Sequence, residues 1–539
     1  MIRSVLLSLC TALAAVSLSA QVIDGLRVAW DRSSEAKIAP HGNYARVIKA
    51  GEDMFLATFE HAGSACIATS SDLKTWSSPR PVISGFHGNS DGLDYHVNIS
   101  NPELCLTKDG TLLLAVNYRP SGQIFYPFSI VLCRSEDGGA SWSSPDILYC
   151  AGCEFENGCW EPSFIQLPDG TIHIYFANEG PYRDSKEQEI SCLTSDDDGK
   201  TWEVPSTMSF RPQHRDGMPV AALIDSEIVV AIEDNSDGKF KPYTVRNPQK
   251  NPWAESVDGT SPLRTYALRD PLPSDVYAGA PYLVALPSGE SLLSYQTTEN
   301  RHEAWELSCM EVAVSDSAAM DFCKMTRPFD VPIGRSGKWN SICVIDSNTV
   351  AAVTSTDKDG IMAPYVVKGH LIRPSRISPV TALRDIFFVG SSTCDNLTAG
   401  LGYDDGTFIF RADVCDSDVV PGDGVVLLMD LTGRQNKIPQ KGVFMISVNH
   451  SGRVLSVYEG KDRRWKKRPD TIVSAQASET PQGYSLTLSF SPRIKIPSVL
   501  KATVIHSNAS SDGSSISEHL VHSDPAIPST WLSLELAVW

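Results

Sequence analysis

Six stretches of this chain read as an apolar strand, a tight turn and a second apolar strand. They are ARVIKAGEDMFLATFE, ELCLTKDGTLLLAVNY, SFIQLPDGTIHIYFAN, VAALIDSEIVVAIED, PYLVALPSGESLLSYQ and SICVIDSNTVAAVTS. Their turns fall near Asp53, Gly110, Gly170, Ser226, Gly289 and Ser347, at steps of 57, 60, 56, 63 and 58 residues. A lone hairpin cannot bury its own apolar faces, so a hairpin that recurs at such a period needs neighbours on both sides. Short antiparallel sheets set radially meet that need without long open edges. Six copies predict an all-β fold, a six-bladed β-propeller over residues 21–375. LRVAWD, Leu26 to Asp31, just ahead of the first copy, is expected to supply the outer strand of the last blade and close the ring.

A shorter repeat supports this. SEDGGASW (Ser135 to Trp142) and SDDDGKTW (Ser195 to Trp202) share one pattern, with decayed copies in SSDLKTW, ending at Trp76, and SDSAAMDF, from Ser315. This is the Asp-box: Asp and Gly shape a tight turn between two strands and the Trp tucks into the sheet. It is a structural staple.

Beyond about Arg373 the character changes. RPSRISPVTAL reads as a linker. LTAGLGYDDGTFIFRADVCDSDVVPGDGVVLLMDL, GVFMISVNHSGRVLSVYEG and GYSLTLSFSPRIKIP then alternate apolar and polar residues between Asp/Gly turns. A second all-β domain, a β-sandwich over roughly 380–539, is expected. Its strand-and-turn pattern resembles family 9 carbohydrate-binding modules.

The N-terminus, MIRSVLLSLCTALAAVSLSAQ, has one Arg, an apolar run and small residues up to Ala20. It reads as a signal peptide over residues 1–20, so a secreted or periplasmic protein with no membrane span in the mature chain is expected. The formal charge of -18 argues against a nucleic-acid partner, which needs a basic face. Neutral sugars are compatible with it. Cys150, Cys153 and Cys159 form a C-x2-C-x5-C cluster without the second pair of a zinc site. Disulfides or buried thiols are expected, and no metal or other cofactor.

Aligned on their turns, the six copies place Glu60, Asn117, Ala177, Glu233, Gln296 and Thr354 at one position, in strands that are otherwise apolar. At the entrance of the preceding strand stand Tyr44, Asn101, Glu161, Met218, Ala280 and Asn340, four of them followed by proline. Proline fixes the entry angle and donates no hydrogen bond. Glu161, in CWEPSFIQLPDG, would therefore face Glu233 across a polar pocket. Two carboxylates so placed are the minimum equipment for glycosidic cleavage, one as proton donor and the other as nucleophile or base. Arg46, Asn101, Trp160, Tyr277, Gln296 and Asn340 are the expected substrate contacts. The competing expectation is that each Glu pairs with an Arg and only holds blades together.

The stretches CWEPSFIQLPDG, RDGMPVAALID leading into VVAIEDN, YAGAPYLVALPSGESLLSYQTTE and GKWNSICVIDSNTVAAVTST, within roughly 40–360, resemble glycoside hydrolase family 93, the exo-α-1,5-L-arabinanases of the sialidase-like superfamily. The resemblance implies catalytic glutamates in the WEP and IEDN contexts, Glu161 as nucleophile and Glu233 as acid/base, and a retaining, exo-acting mechanism on an arabinan-type polysaccharide. The C-terminal domain is extra relative to single-domain arabinanases. The loops at 85–98 and 178–189 are where exo-specificity is expected to be set.

Two alternatives remain from sequence. An exo-sialidase would use Tyr277 as nucleophile and Arg46, Arg215 and Arg335 as an arginine triad, although the context YARVIKA does not fit. A non-catalytic lectin-like propeller would need neither glutamate. KDRRWKKR, 461–468, reads as a solvated basic loop in which Trp465 could stack on a sugar. Asn98, Asn396, Asn449 and Asn508 occupy N-x-S/T sequons. A monomer is expected.

Overall fold

The computed structural model describes residues 26–536 except 91, 123–125, 249–252, 302, 316–317, 373–374, 378–383, 387–396, 405, 435, 469–471, 512–514, 520–523 and 529–530. The expected signal peptide, most of the expected linker and Asn396 lie outside the described residues. Strands dominate. The named helices are two single 3₁₀ turns, Phe155–Asn157 and Trp305–Leu307. No helix among the described residues is long and apolar enough to cross a membrane.

Residues 27–372 form six separate sheets of four or five strands. Each begins in one copy of the hairpin repeat. The first strands of the copies are Asn43–Gly51, Leu93–Leu106, Cys159–Gln166, Asp216–Ile224, Ala278–Ala285 and Gly337–Val344. Each touches the first strand of the next copy, and the sixth returns to the first. Arg27–Lys37 pairs with Ala363–Ile372 at the outer edge of the sixth sheet, so the N-terminal strand fastens the last sheet, as LRVAWD predicted. The apolar runs fill the seams: Ile228, Val230 and Ile232 of the fourth sheet pack with Ile174, Phe176 and Ile190 of the third.

The Asp-boxes join third and fourth strands. Asp137 accepts the Ser141 N–H at 2.8 Å, and Trp142 Nε1 donates to the Gly139 carbonyl at 3.1 Å. Asp197 with Thr201, and Trp202 with Gly199, repeat this at 2.8 and 3.1 Å. Even the decayed copy keeps Asp72 on the Thr75 N–H at 2.7 Å.

Beyond 374 the described residues form two further sheets, of eight and five strands. One cluster of buried side chains, including Phe408 and Leu488 from one sheet and Leu427 and Phe444 from the other, lies between them. The basic run is not a loop. Arg464–Lys467 is the edge strand of the larger sheet. Trp465 packs against the cluster of Leu428, Val443 and Trp531, while its charged neighbours stay exposed, a common way to blunt a sheet edge. The eleven described cysteines are all free thiols, so disulfides are absent among them. Burial raises the Cys159 thiol well above its usual range.

Candidate active site

In every copy the pairing of first with second strand slips, between Asn43 and Arg46, Ser100 and Glu103, Trp160 and Ser163, Gly217 and Val220, Gly279 and Tyr282, and Lys338 and Ser341. The leading residue of each bulge has a left-handed backbone: Tyr44 (φ 51°), Asn101 (51°), Glu161 (52°), Met218 (50°), Ala280 (49°) and Trp339 (56°). Six non-glycine residues in this region are a repeated strain, each costing about 1–3 kcal/mol, of the kind that collects at ligand sites. Bulges re-aim side chains, and here they aim them inward: Tyr44, Met218, Ala280 and Trp339 pack on one another. The prolines at 102, 162, 219 and 281 fall where ladder pairing has lapsed, so their missing N–H is not needed. The sixth copy lacks the proline. Its bulge residue is Trp339, not Asn340, and Ser355 rather than Thr354 holds the paired position, opposite Lys338.

A bulge leaves its leading N–H without a strand partner, and the preceding sheet supplies one. Glu60 accepts the Asn101 N–H at 2.8 Å, Glu233 the Ala280 N–H at 2.7 Å, and Gln296 the Trp339 N–H at 2.8 Å. Glu161 receives the backbone N–H of Met218. Gln296 does this as an amide, so the task does not require an acid.

Glu161 and Glu233 line the same two adjoining cavities, of about 460 and 360 Å³. Burial pushes the Glu161 carboxyl up to about 8, with further rises from the charges of Glu233 and Glu179 and a countering pull from Arg215. Burial pushes Glu233 up to about 7, against the Ala280 N–H and Arg215. Two interacting acids titrate as a pair, and this pair keeps a proton near neutrality. Gly217 and Gly279 make room for it. A β-carbon on Gly217 would lie 3.1 Å from Glu233 Oε1, and one on Gly279 would collide with Glu233 Oε2 and the Tyr277 hydroxyl. The strand ends carrying Glu233 are clamped from behind. Arg264 takes Asp216 in a fork at 2.7 and 2.6 Å and also reaches Asp234 at 2.9 Å.

Aromatic groups wall the cleft. Phe155 and Trp160 lie on one side, ring centroids 4.9 Å apart, with Arg119 over both rings. Tyr277, Trp305 and Trp339 lie on the other, in successive contacts of 6.1 Å. Phe155 and Trp305 are the first-turn residues of the two 3₁₀ turns. Sugar rings present apolar faces and polar edges, and this pairing of flat rings with polar groups suits them.

The expected substrate contacts divide. Asn101, Trp160 and Tyr277 line the cavities. Gln296 and Asn340 are buried beneath the floor, where Gln296 Nε2 donates to the Tyr277 hydroxyl at 3.0 Å and Asn340 Nδ2 to the Ala280 carbonyl at 3.3 Å. Arg46 lies deeper, ion-paired with Glu103 at 2.9 Å under the Tyr44 ring. Of the three arginines of the sialidase alternative only Arg215 lines the cleft; Arg335 meets Asp357 at 3.4 Å. Arg215 is held by Glu179 and by Gln188. Sequence reasoning missed Glu179, Gln188, Phe240, Trp305 and Trp339. Glu179 and Gln188 sit in the 178–189 loop, but the blade repeat gives no signal for a loop residue.

Residues 54–305 match the family described as BNR repeat-like domain. The match covers the first three Asp-box copies and both Glu161 and Glu233. No curated protein matches the sequence. Among solved structures, a protein of unknown function from Dyadobacter fermentans is similar at 18% identity and a TM-score of 0.50, over 65% of this chain and 100% of the other. The Penicillium chrysogenum α-L-arabinanase complexed with arabinobiose is similar at 18% identity and a TM-score of 0.45, over 64% of this chain and 97% of that one. Trypanosoma rangeli sialidase is similar at 10% identity and 0.43, over 91% and 88%. Identities this low speak to fold alone.

Proposed function

We propose that the six sheets are the blades of a six-bladed, sialidase-like propeller, and that the chain is a secreted glycoside hydrolase cleaving units from the ends of an arabinan-type polysaccharide. One observation carries the reading: two glutamates on adjacent sheets line the same two aromatic-walled cavities, where burial raises both carboxyls. Where an acid only caps a bulge, an amide serves, as Gln296 demonstrates. An acid pair kept half-protonated in a cavity is poised for proton transfer.

In this reading one glutamate protonates the departing oxygen and the other attacks the anomeric carbon or activates water. The more strongly raised carboxyl of Glu161 favours the proton there. The family resemblance implies the reverse roles. Phe155 and Trp160, with Trp305 and Trp339 opposite, would hold sugar faces, and Arg215 would steady the charged member of the pair. The two sheets beyond 374 would form a sandwich that holds the enzyme on polysaccharide.

A second reading keeps one supporting observation. The Tyr277 hydroxyl lies beside the Glu233 carboxylate around Gly279, the kind of pair a tyrosine nucleophile uses. Burial first, and then the Glu233 charge, hold that phenol protonated, and the arginines expected for the carboxylate of a sialic acid are not gathered. The test is product analysis on linear debranched arabinan and on a sialylated oligosaccharide, with the native protein and with Glu161→Gln and Glu233→Gln. Short arabino-oligosaccharides lost in both variants support the proposal. Free sialic acid would transfer the chemistry to Tyr277, and full activity in both variants would remove the glutamates from it.

A further inference from the structure

A third cavity, of about 480 Å³, continues the cleft beyond Glu60. It shares Asn43, Glu60 and Arg119 with the cavity over the glutamate pair. It is a different chemical environment. Glu161, Glu179 and Glu233 crowd the floor of the main cleft, whereas the outer cavity is rimmed by His41, His61 and Arg119. Arg119 is exposed and makes no ion pair among the described residues. Its guanidinium lies 5.2 Å from the Phe155 ring centre and 5.5 Å from that of Trp160. A guanidinium held over rings keeps its N–H fork free for a planar oxyanion. Glu60, the nearby acid, feels the Arg119 charge but offers a carboxylate oxygen to the Asn101 N–H, and burial raises its carboxyl against both.

The two histidines add hydroxyl partners. Their rings stack with centroids 4.2 Å apart, and His61 Nδ1 lies 3.1 Å from the His41 carbonyl. A carbonyl only accepts, so Nδ1 carries the hydrogen and Nε2 is left to meet a ligand hydroxyl. Asn43 Oδ1 is a buried acceptor without a partner. A cavity this size, with one free cationic fork and an imidazole, matches a single pyranose that carries a carboxylate.

We propose that the cavity around Arg119 is a subsite for a uronic acid residue, so that the saccharide bound in the cleft is acidic on this side. The inference rests on reading the cleft as a saccharide site, and it does not require that the bond be cleaved. It also qualifies the arabinan assignment, because a neutral polymer would leave Arg119 idle.

The test uses the full chain carrying Glu161→Gln, to prevent turnover, with trigalacturonate and its neutral counterpart galactotriose as probes in titration calorimetry. The expected result is at least a roughly tenfold preference for the acidic probe, as a charge-assisted fork supplies, weakened by salt. Adding Arg119→Ala should abolish the preference, and Arg119→Lys should restore part of it. Arg119→Gln, which keeps the stem over the rings, guards against a packing effect and should behave as Arg119→Ala. Equal affinity for the two probes, no binding of either, or a preference that survives Arg119→Ala would overturn the proposal. Hydrolysis of neutral arabinan with no acid preference would leave the hydrolase standing without this subsite; acid preference without any hydrolysis would do the opposite.

Discussion

The Glu233 carboxylate accepts the Ala280 N–H at 2.7 Å across the seam between the fourth and fifth sheets. The same carboxylate would therefore be both a structural cap and a chemical group. Glutamine separates the two, since it keeps an acceptor oxygen and loses the acid, as Gln296 does on Trp339. Glu233→Gln should lower kcat by about 10²–10⁴ with little change in Tm at pH 5, where the native acid is protonated too. Glu233→Ala should lose activity and also about 1–3 kcal/mol of stability, because the Ala280 N–H is then buried without a partner. Kinetics and thermal melts of the two variants check this. Equal melting temperatures would mean that the cap contributes nothing.

The order of roles separates by rescue. On an aryl glycoside with a good leaving group, the variant lacking the acid/base should regain activity with azide and give a product of retained configuration. The variant lacking the nucleophile should give inverted azide product. The more strongly raised carboxyl points to Glu161→Ala for the first behaviour, and the family resemblance to Glu233→Ala. The configuration of the azide product in each variant decides between them.

Gly279 admits both Glu233 Oε2 and the Tyr277 hydroxyl where any β-carbon would stand. Gly279→Ala should displace the carboxylate and cut kcat/KM by about 10²-fold, as an ångström-scale misplacement does. Because Ala278 and Ala280 on either side are fully packed, the strand should survive. Circular dichroism near native with activity largely lost is the expected pair of readings. Unchanged activity would show that the Glu233 position is not critical.

The glutamate pair also sets a pH dependence of stability. Each acid is raised from 4.5, to about 8 for Glu161 and about 7 for Glu233. A raised acid holds its proton more tightly when folded, so its contribution is fully present below about pH 4.5 and is lost as pH rises toward 8. The native protein should therefore melt at lower temperature at pH 8 than at pH 5 for this reason. Glu161→Gln should raise Tm at pH 8 and leave it nearly unchanged at pH 4.5. A variant that is less stable than native at pH 8 would contradict the burial argument. Activity should fall over the same upper limb, as the shared proton leaves.

How far the site was legible depended on what punctuates the repeat. Asn101, Glu161, Met218 and Ala280 each precede a proline, and the alignment placed all four on the bulge. Trp339 precedes Asn340, nothing in the sequence marks the register, and the expectation slipped by one residue. A one-residue slip in a strand reverses which face a side chain takes, so it hid an aromatic wall residue and promoted a buried amide. Phe155 and Trp305 were invisible for another reason. They stand on 3₁₀ turns in connections whose lengths differ from copy to copy. Six sheets were legible because six turns recur near one spacing. Arg46 was legible only in part: an arginine early in a first strand reads as a substrate contact, and packing alone shows that Glu103 pairs with its charge.

That ion pair gives the last prediction. Arg46 and Glu103 are buried, 2.9 Å apart, and Arg46 also donates to the carbonyls of Trp339 and Asn340 at 3.1 and 3.2 Å. It thus joins the first, second and sixth sheets near the axis. Removing one partner of a buried pair strands the other charge and typically costs about 3–5 kcal/mol. Arg46→Met should lower stability by that amount and leave KM for the true substrate within about twofold, since Tyr44 lies between Arg46 and the cleft. Glu103→Gln should cost less, because an amide oxygen still accepts from the guanidinium. Denaturant melts with Michaelis constants on the same variants check both. A large rise in KM without loss of stability would return Arg46 to the substrate site, and with it the arginine-cluster alternative.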